Sequence, residues 1–455
     1  MSFTTQRIAY AYFLAAVVLF VLQVTFGLLT LAKYLGPDPL LHVMHFATSK
    51  EIHTNLLLVW CLTGFMGATY YIVPEESRTE IWSPRLAYAQ LALWLAIGVV
   101  TVVGYLFGIT EGRKLLEMPF PLKLGVVVVM GMFLLNILMT VRKAGRWTTT
   151  EAVLIGGLAS TALLFVPALI HFDHYTLDRY YRWWVVHLWV EGVWMLILAA
   201  ILAYLLIRLS GADREVMEKW LYVIVGLTFI SGILGTGHHY YWIGVPGYWL
   251  WVGGFFGALE PLALFAMAAY AYNTFRRSGV EHPNAIALHW TVGSAIFSAI
   301  GAGILGLSHT WPQVNRWTHG THVTTMHGHM AFFGAYAMIN LAIFSYALPY
   351  LTGRSEEEAQ TRLGLWAFWL MVGGMFGMTM ALAAAGISQT YLERILGFGY
   401  LETQQLIQVH YLMWLGTGVI FAAGAGCFLW NFVSAGLPRP VAAERPASLA
   451  RSSVV

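Results

Sequence analysis

Apolar residues fill this chain in long blocks, and polar residues gather in the short gaps between them. Twelve blocks, near 8–32, 52–73, 87–109, 121–141, 151–171, 183–207, 217–243, 248–274, 286–309, 321–350, 363–390 and 406–433, each reach the roughly 20 residues that carry an α-helix across a bilayer. The gaps read EESRTEIWSPR after the second block, RKAGRW after the fourth, RLSGADREVMEK after the sixth and RRSGVEHPN after the eighth. This pattern predicts an all-α polytopic membrane protein with twelve transmembrane helices, one membrane domain over 1–435. A tail over 436–455, rich in Ala, Pro, Ser and Arg, is expected to be disordered. The first block is too long for the apolar part of a cleavable signal, and no small-residue cleavage site follows it.

Composition agrees. The 455 residues are 58% hydrophobic and 10% charged, with a mean hydropathy of +0.67. A net charge of +3 gives no reason to expect nucleic acid. Of the 25 Lys and Arg, 16 lie in the termini and in the gaps after blocks 2, 4, 6, 8 and 10, which predicts both termini on the cytoplasmic side of a bacterial inner membrane. Cys61 and Cys427 each sit inside an apolar block without ligand spacing, and read as small core residues. No C-x-x-C-H is present, so the chain attaches no haem covalently.

Ionisable residues inside such blocks are costly unless they are paired or ligating, which makes them functional candidates. His187 and Glu191 stand at i and i+4, on one helix face. His238 and His239 are adjacent and would diverge by about 100° on a regular helix, so they converge on one ion only at a helix end or distortion. GTG before them and GVPG after them allow one. Three imidazoles and a carboxylate form a mixed nitrogen and oxygen set, which favours iron over copper. A lone buried histidine is as often a satisfied core residue as a ligand; four such residues together point to a metal. His327 and His329, in HGH, lie about 200° apart on a helix. They cannot share one ion but can hold two planar cofactors on either side of the helix, with Gly328 between them adding no bulk. His53, in EIHTNLLLVW, would then complete a six-coordinate haem.

The local sequence carries this further. WWVVHLWVEGVW, ISGILGTGHHYYWIGVPGYWLW, GALEPL, MHGHMAFFGAYAMI, and HTNLLLVW with GFMGATYYIVPEES closely resemble the catalytic subunits of respiratory nitric oxide reductases, cytochrome c-dependent type, in the haem-copper oxidase superfamily. The resemblance runs from about residue 10 to 430. It implies the haem-copper oxidase catalytic-subunit fold and the reduction of 2 NO to N2O and water with two electrons and two protons. By position it implies that His53 and His329 hold a low-spin haem b. His327 holds the high-spin haem b3. His187, His238, His239 and Glu191 bind non-haem iron, and Glu260 in GALEPL takes part in proton delivery or hydrogen-bonds a metal-site histidine. Protons in this family are thought to arrive from the outer side, which implies no pumping. NO, small and apolar, can enter from the lipid. In the best-known oxygen-reducing relatives a tyrosine follows the first metal histidine by one turn; here that position is Glu191, which argues against oxygen chemistry.

Two positions depart from the resemblance. Where the usual reductase reads E-G-V-W-E, this chain ends the run in Met195, which either is plain packing or marks a subgroup such as an NO dismutase or oxygen reductase. In the short outer loop GITEGRKLLEMP, Lys114 replaces an acidic residue that in relatives helps bind calcium. Lys114 could pair with a haem propionate; Glu111 or Glu117 could keep a calcium, but Lys114 cannot ligate one, which argues against it. His309, His319 and His322 either hydrogen-bond propionates or water, or are ordinary interfacial residues. With no c-haem motif and no large N-terminal extension, electrons are expected from a separate membrane-anchored cytochrome c subunit.

Overall fold

The computed structural model describes residues 3–36, 44–259, 262–278, 283–358 and 361–439. Among them, eleven helices are long and apolar enough to cross a membrane. In chain order these are α1 (Thr4–Ala32), α2 (Phe46–Ser77), α3 (Pro84–Leu106), α4 (Phe120–Ala144), α5 (Thr149–Leu169), α6 (Tyr175–Ser210), α7 (Arg214–Tyr240), α8 (Ala285–Thr310), α9 (His322–Thr352), α10 (Arg362–Ile395) and α11 (Gln408–Ser434). The segment predicted as one span over 248–274 contains two shorter helices, Trp249–Gly257 and Leu262–Ser278. Residues 260 and 261 between them, and the tail from residue 440 onward, lie outside the described residues.

Local chemistry sets the helix ends. The side chains of Ser83, Thr148, Asp213 and Thr361 accept from the amides of Leu86, Glu151, Val216 and Gly364, which meets first-turn donors at four helix starts. Gly145, Gly211 and Gly353 take the left-handed conformation just past α4, α6 and α9, where a side chain would be strained.

Burial sorts the spans into two layers. Within their most apolar windows, α2, α6 and α9 are 83%, 78% and 83% buried, whereas the other spans range from 33% to 50%. Large apolar residues on the outer helices, such as Val99, Leu163, Trp366 and Ile387, are exposed, as expected where lipid is the solvent. Around the inner three, α1 packs along α2, α10 along α11, and α9 against α8 and α10. The inner layer carries His53, His187, Glu191, His327 and His329, so nearly all candidate ligands project into the middle of the bundle.

Candidate metal and haem centre

α6 is not a regular helix where Glu191 sits. Leu188–Val193 form a π turn, wider than an α turn by one residue. His187 Nε2 donates to the Gly232 carbonyl at 2.7 Å, and this turns its Nδ1 toward Glu191 Oε2, 3.6 Å away. The regular i, i+4 geometry predicted for this pair is therefore modified: the carboxylate is presented from a widened turn.

α7 loses its regularity in the same way. A π turn over Thr228–Gly232 precedes a 3₁₀ segment, Thr236–Tyr240, that carries His238 and His239. This is the distortion that their convergence requires. His238 Nε2 lies 3.2 Å and His239 Nε2 2.8 Å from the Glu191 carboxylate. The ligand atoms of His187, Glu191, His238 and His239 all lie within 4.8 Å of one another, the only such group among the described residues. His238 Nδ1 is buried without a hydrogen-bond partner. Three imidazole nitrogens and one carboxylate converging on one point is a donor set suited to a divalent transition metal, iron in particular.

Glycines permit the convergence. A Cβ on Gly253 would lie 2.2 Å from the His238 amide nitrogen, and one on Gly257 would lie 2.8 Å from His238 Nδ1. The helix Trp249–Gly257 thus presses its backbone against the histidine pair, through small residues four apart. The four-residue spacing is visible in the sequence, but the histidine segment packed against it is not. Gly253→Ala forces a backbone shift costing about 1–3 kcal/mol. We expect it to lower both thermal stability and bound metal, as read by a melting curve and metal analysis. Trp183, one of 19 tryptophans with nothing in the sequence to single it out, stacks flat on His239 at 4.6 Å and 9° and so fixes that ring.

His53 and His329 face one another across α2 and α9, with ring centroids 6.3 Å apart and planes within 24°. A metal–imidazole bond is about 2 Å and a ring nitrogen lies about 1 Å from its ring centre, so two imidazoles on opposite sides of one iron place their centroids about 6 Å apart. The pair therefore fits a haem iron between them. Its orientation fits too: His53 Nδ1 donates to the Gln23 carbonyl at 2.8 Å and His329 Nδ1 to the Thr325 carbonyl at 2.9 Å, which leaves His329 Nε2 for a metal, while His53 Nε2 meets only the Gln23 side-chain amide at 3.4 Å, a long contact that a metal would displace. Gly27 makes room for this, since a Cβ there would lie 2.7 Å from His53 Cε1. His327 points to the other side of α9. Its Nδ1 donates to the Gly301 carbonyl, in a π turn of α8, at 3.0 Å, which again leaves Nε2 for a metal. The opposite facing of His327 and His329 is as their spacing predicts.

Not every candidate joins this centre. Glu260 lies outside the described residues. Met195 is buried in the apolar core of α6. The His309 ring lies 5.4 Å from that of His327, tilted by 43°, while His322 bonds the Tyr411 hydroxyl at 2.7 Å. In the outer loop, Glu111 is tied to Lys123 and His171, and Glu117 accepts from the Leu115 amide at 2.8 Å and from Asn55 at 3.0 Å. Lys114 reaches over the Trp183 ring at 5.8 Å. Crowding strips water from its ammonium, and the nearby charges of Lys50, Arg182 and Arg179 repel it, which together lower its pKa to about 8. His319 is likewise held low, by desolvation and then by Arg179, Lys114 and Arg394.

Comparison with known proteins shows the family. Residues 7–421 match the family "Cytochrome C and Quinol oxidase polypeptide I". A nitric oxide reductase subunit from Stutzerimonas stutzeri is 44% identical, covering 98% of each chain. A cytochrome c oxidase subunit 1 homolog of Agrobacterium tumefaciens (strain T37) is 22% identical, over 92% of this chain and 79% of its own. A haem-copper terminal oxidase solved by cryo-electron microscopy shares the fold, with a TM-score of 0.73 at 15% identity, covering 96% of this chain and 85% of its own. The chain belongs to the nitric oxide reductase family, within the haem-copper oxidase superfamily.

Proposed function

We propose that this protein is the catalytic subunit of a nitric oxide reductase, carrying out 2 NO + 2 e⁻ + 2 H⁺ → N2O + H2O. The observation that carries the reading is the Glu191 carboxylate within ligand distance of three imidazoles. His187, His238, His239 and Glu191 hold a non-haem iron, His327 the high-spin haem b3 beside it, and His53 with His329 the low-spin haem b. When bound, the haem and non-haem irons would supply the electrons and the positive charge that the reduction of NO requires.

The chain's own residues supply the rest. Backbone carbonyls of Gln23, Thr325, Gly301 and Gly232 fix four histidine rings, so the binding nitrogens need no reorganisation. Glu191 offsets positive charge at the non-haem site and is placed to hold or pass a proton at its carboxylate. Glu260 is the second candidate for proton delivery. A small apolar cavity lined by Leu62, Trp94, Phe133 and Leu158 also includes Thr161, whose carbonyl accepts from Trp189, two residues before Glu191. It suits an apolar gas arriving from lipid.

The remaining reading concerns surroundings. The region 248–274 completes a twelfth span, and 1–435 form one membrane domain in a bacterial inner membrane with both termini cytoplasmic. The electron donor is a membrane-anchored cytochrome c subunit on the outer side. With Glu111 and Glu117 already engaged and Lys114 between them, the outer loop needs no calcium. The test is to purify the protein with its partner subunit, count iron per chain and follow anaerobic NO consumption. We expect about three irons in this subunit and one N2O per two NO. Copper in the third position, or O2 as product, overturns the assignment.

A further inference from the structure

Four π turns surround the centre, and in each a backbone carbonyl accepts from a side chain on another helix. His187 bonds Gly232 at 2.7 Å, His327 bonds Gly301 at 3.0 Å, Ser294 bonds Gly334 at 2.8 Å, and the Tyr336 hydroxyl bonds Val190. The four carbonyls lie in the π turns Thr228–Gly232, Ala299–Leu305, Phe333–Ala337 and Leu188–Val193. An inserted residue disturbs the i→i−4 ladder, and a buried carbonyl left unmet is destabilising. A side-chain donor from outside the helix therefore selects the widened turn over a regular one.

Two of the four donors are candidate ligands themselves; Tyr336 is not. It nevertheless bonds the residue immediately before Glu191. Its ring is 3% exposed and stands edge-on to Trp194 at 5.2 Å and Phe65 at 6.2 Å. Its own carbonyl accepts from the buried Asn340 amide at 2.9 Å, which anchors it from behind.

We propose that Tyr336 is a positioning residue whose hydroxyl, by holding the Val190 carbonyl, keeps the π turn of α6 open and the Glu191 carboxylate aimed at the three histidines. It also ties α9, which carries His327 and His329, to α6, which carries His187 and Glu191. The inference rests on Glu191 being a metal ligand.

Tyr336→Phe keeps the ring contacts and removes only the donor. In the complex of full-length chain and partner we expect faster amide hydrogen exchange confined to 188–194 and an altered Mössbauer signal of the non-haem iron. kcat should fall roughly tenfold with KM for NO little changed, the signature of a lost transition-state interaction. Unchanged exchange and an unchanged iron signal overturn the proposal. If the Phe variant does not assemble, 3,5-difluorotyrosine introduced at position 336 alone, a stronger donor on the same ring, should shift the iron signal; no shift overturns the proposal equally. The Tyr336→Phe exchange measurement repeated in a Glu191→Ala background separates the two ideas. Loosening of 188–194 there supports the latch even if Glu191 proves not to bind iron, and iron retained in Glu191→Ala alone refutes the ligand reading.

Discussion

Replacing Glu191 by Ala is expected to remove the non-haem iron and to lower NO turnover by at least about 100-fold, the scale on which loss of a preorganised charged group at a reacting centre is felt. The carboxylate lies 2.8 Å from His239 Nε2, 3.2 Å from His238 Nε2 and 3.6 Å from His187 Nδ1. Without it, three neutral imidazoles remain, a set with no negative charge to offset a dication and with a preference that moves from iron toward copper or zinc. Glu191→Gln, which keeps the shape and one acceptor oxygen but not the charge, should fall between Ala and wild type. Metal analysis of the purified complex gives iron per chain, gas chromatography gives N2O, and the absorption spectrum of the haems serves as the folding control. Full iron content with wild-type turnover in the Ala variant would sink the ligand role.

Much of this was legible from residue order alone, and the misses have a common cause. Runs of apolar residues predict the eleven described spans, nine of them to within about five residues at each end and α2 and α6 starting six and eight residues too late, because the length needed to cross lipid is a property of composition rather than of detailed packing. The pairings of His187 with Glu191 and of His238 with His239 were readable because ligand types stood out in an apolar background. The π turns were not readable. In a helix apolar on nearly every side, one inserted residue leaves the apolar pattern unchanged, so the sequence of α6 does not reveal that Glu191 leaves the regular path. Tyr336 and Trp183 were lost among abundant aromatics, and only their contacts distinguish them. Gly253 and Gly257 were visible as a small-residue spacing, but their meaning depends on the histidine segment packed against them. The split of 248–274 into Trp249–Gly257 and Leu262–Ser278 follows from the same region: its first half serves the metal site before the chain resumes as a helix.

His53→Ala is expected to reduce haem from two to one per chain and to abolish turnover with the physiological electron donor, while CO still binds the remaining high-spin haem. His53 stands 6.3 Å from His329, ring centre to ring centre, and its Nδ1 is committed to the Gln23 carbonyl at 2.8 Å. No other histidine is placed in that pair among the described residues, so nothing substitutes for the missing ligand. A second variant tests the same point without touching a ligand. At Gly27 even a methyl would sit 2.7 Å from His53 Cε1, so Gly27→Val must push the ring out of line with His329 or bend α1 away from α2. Pyridine haemochrome analysis counts the haems, and the low-spin absorption bands report the six-coordinate one. Both variants should lose those bands while the non-haem iron stays bound, because that site is built by α6 and α7 and shares no ligand with His53. If His53→Ala retains both haems, the second axial ligand lies elsewhere, and the ring pairing across α2 and α9 is packing alone.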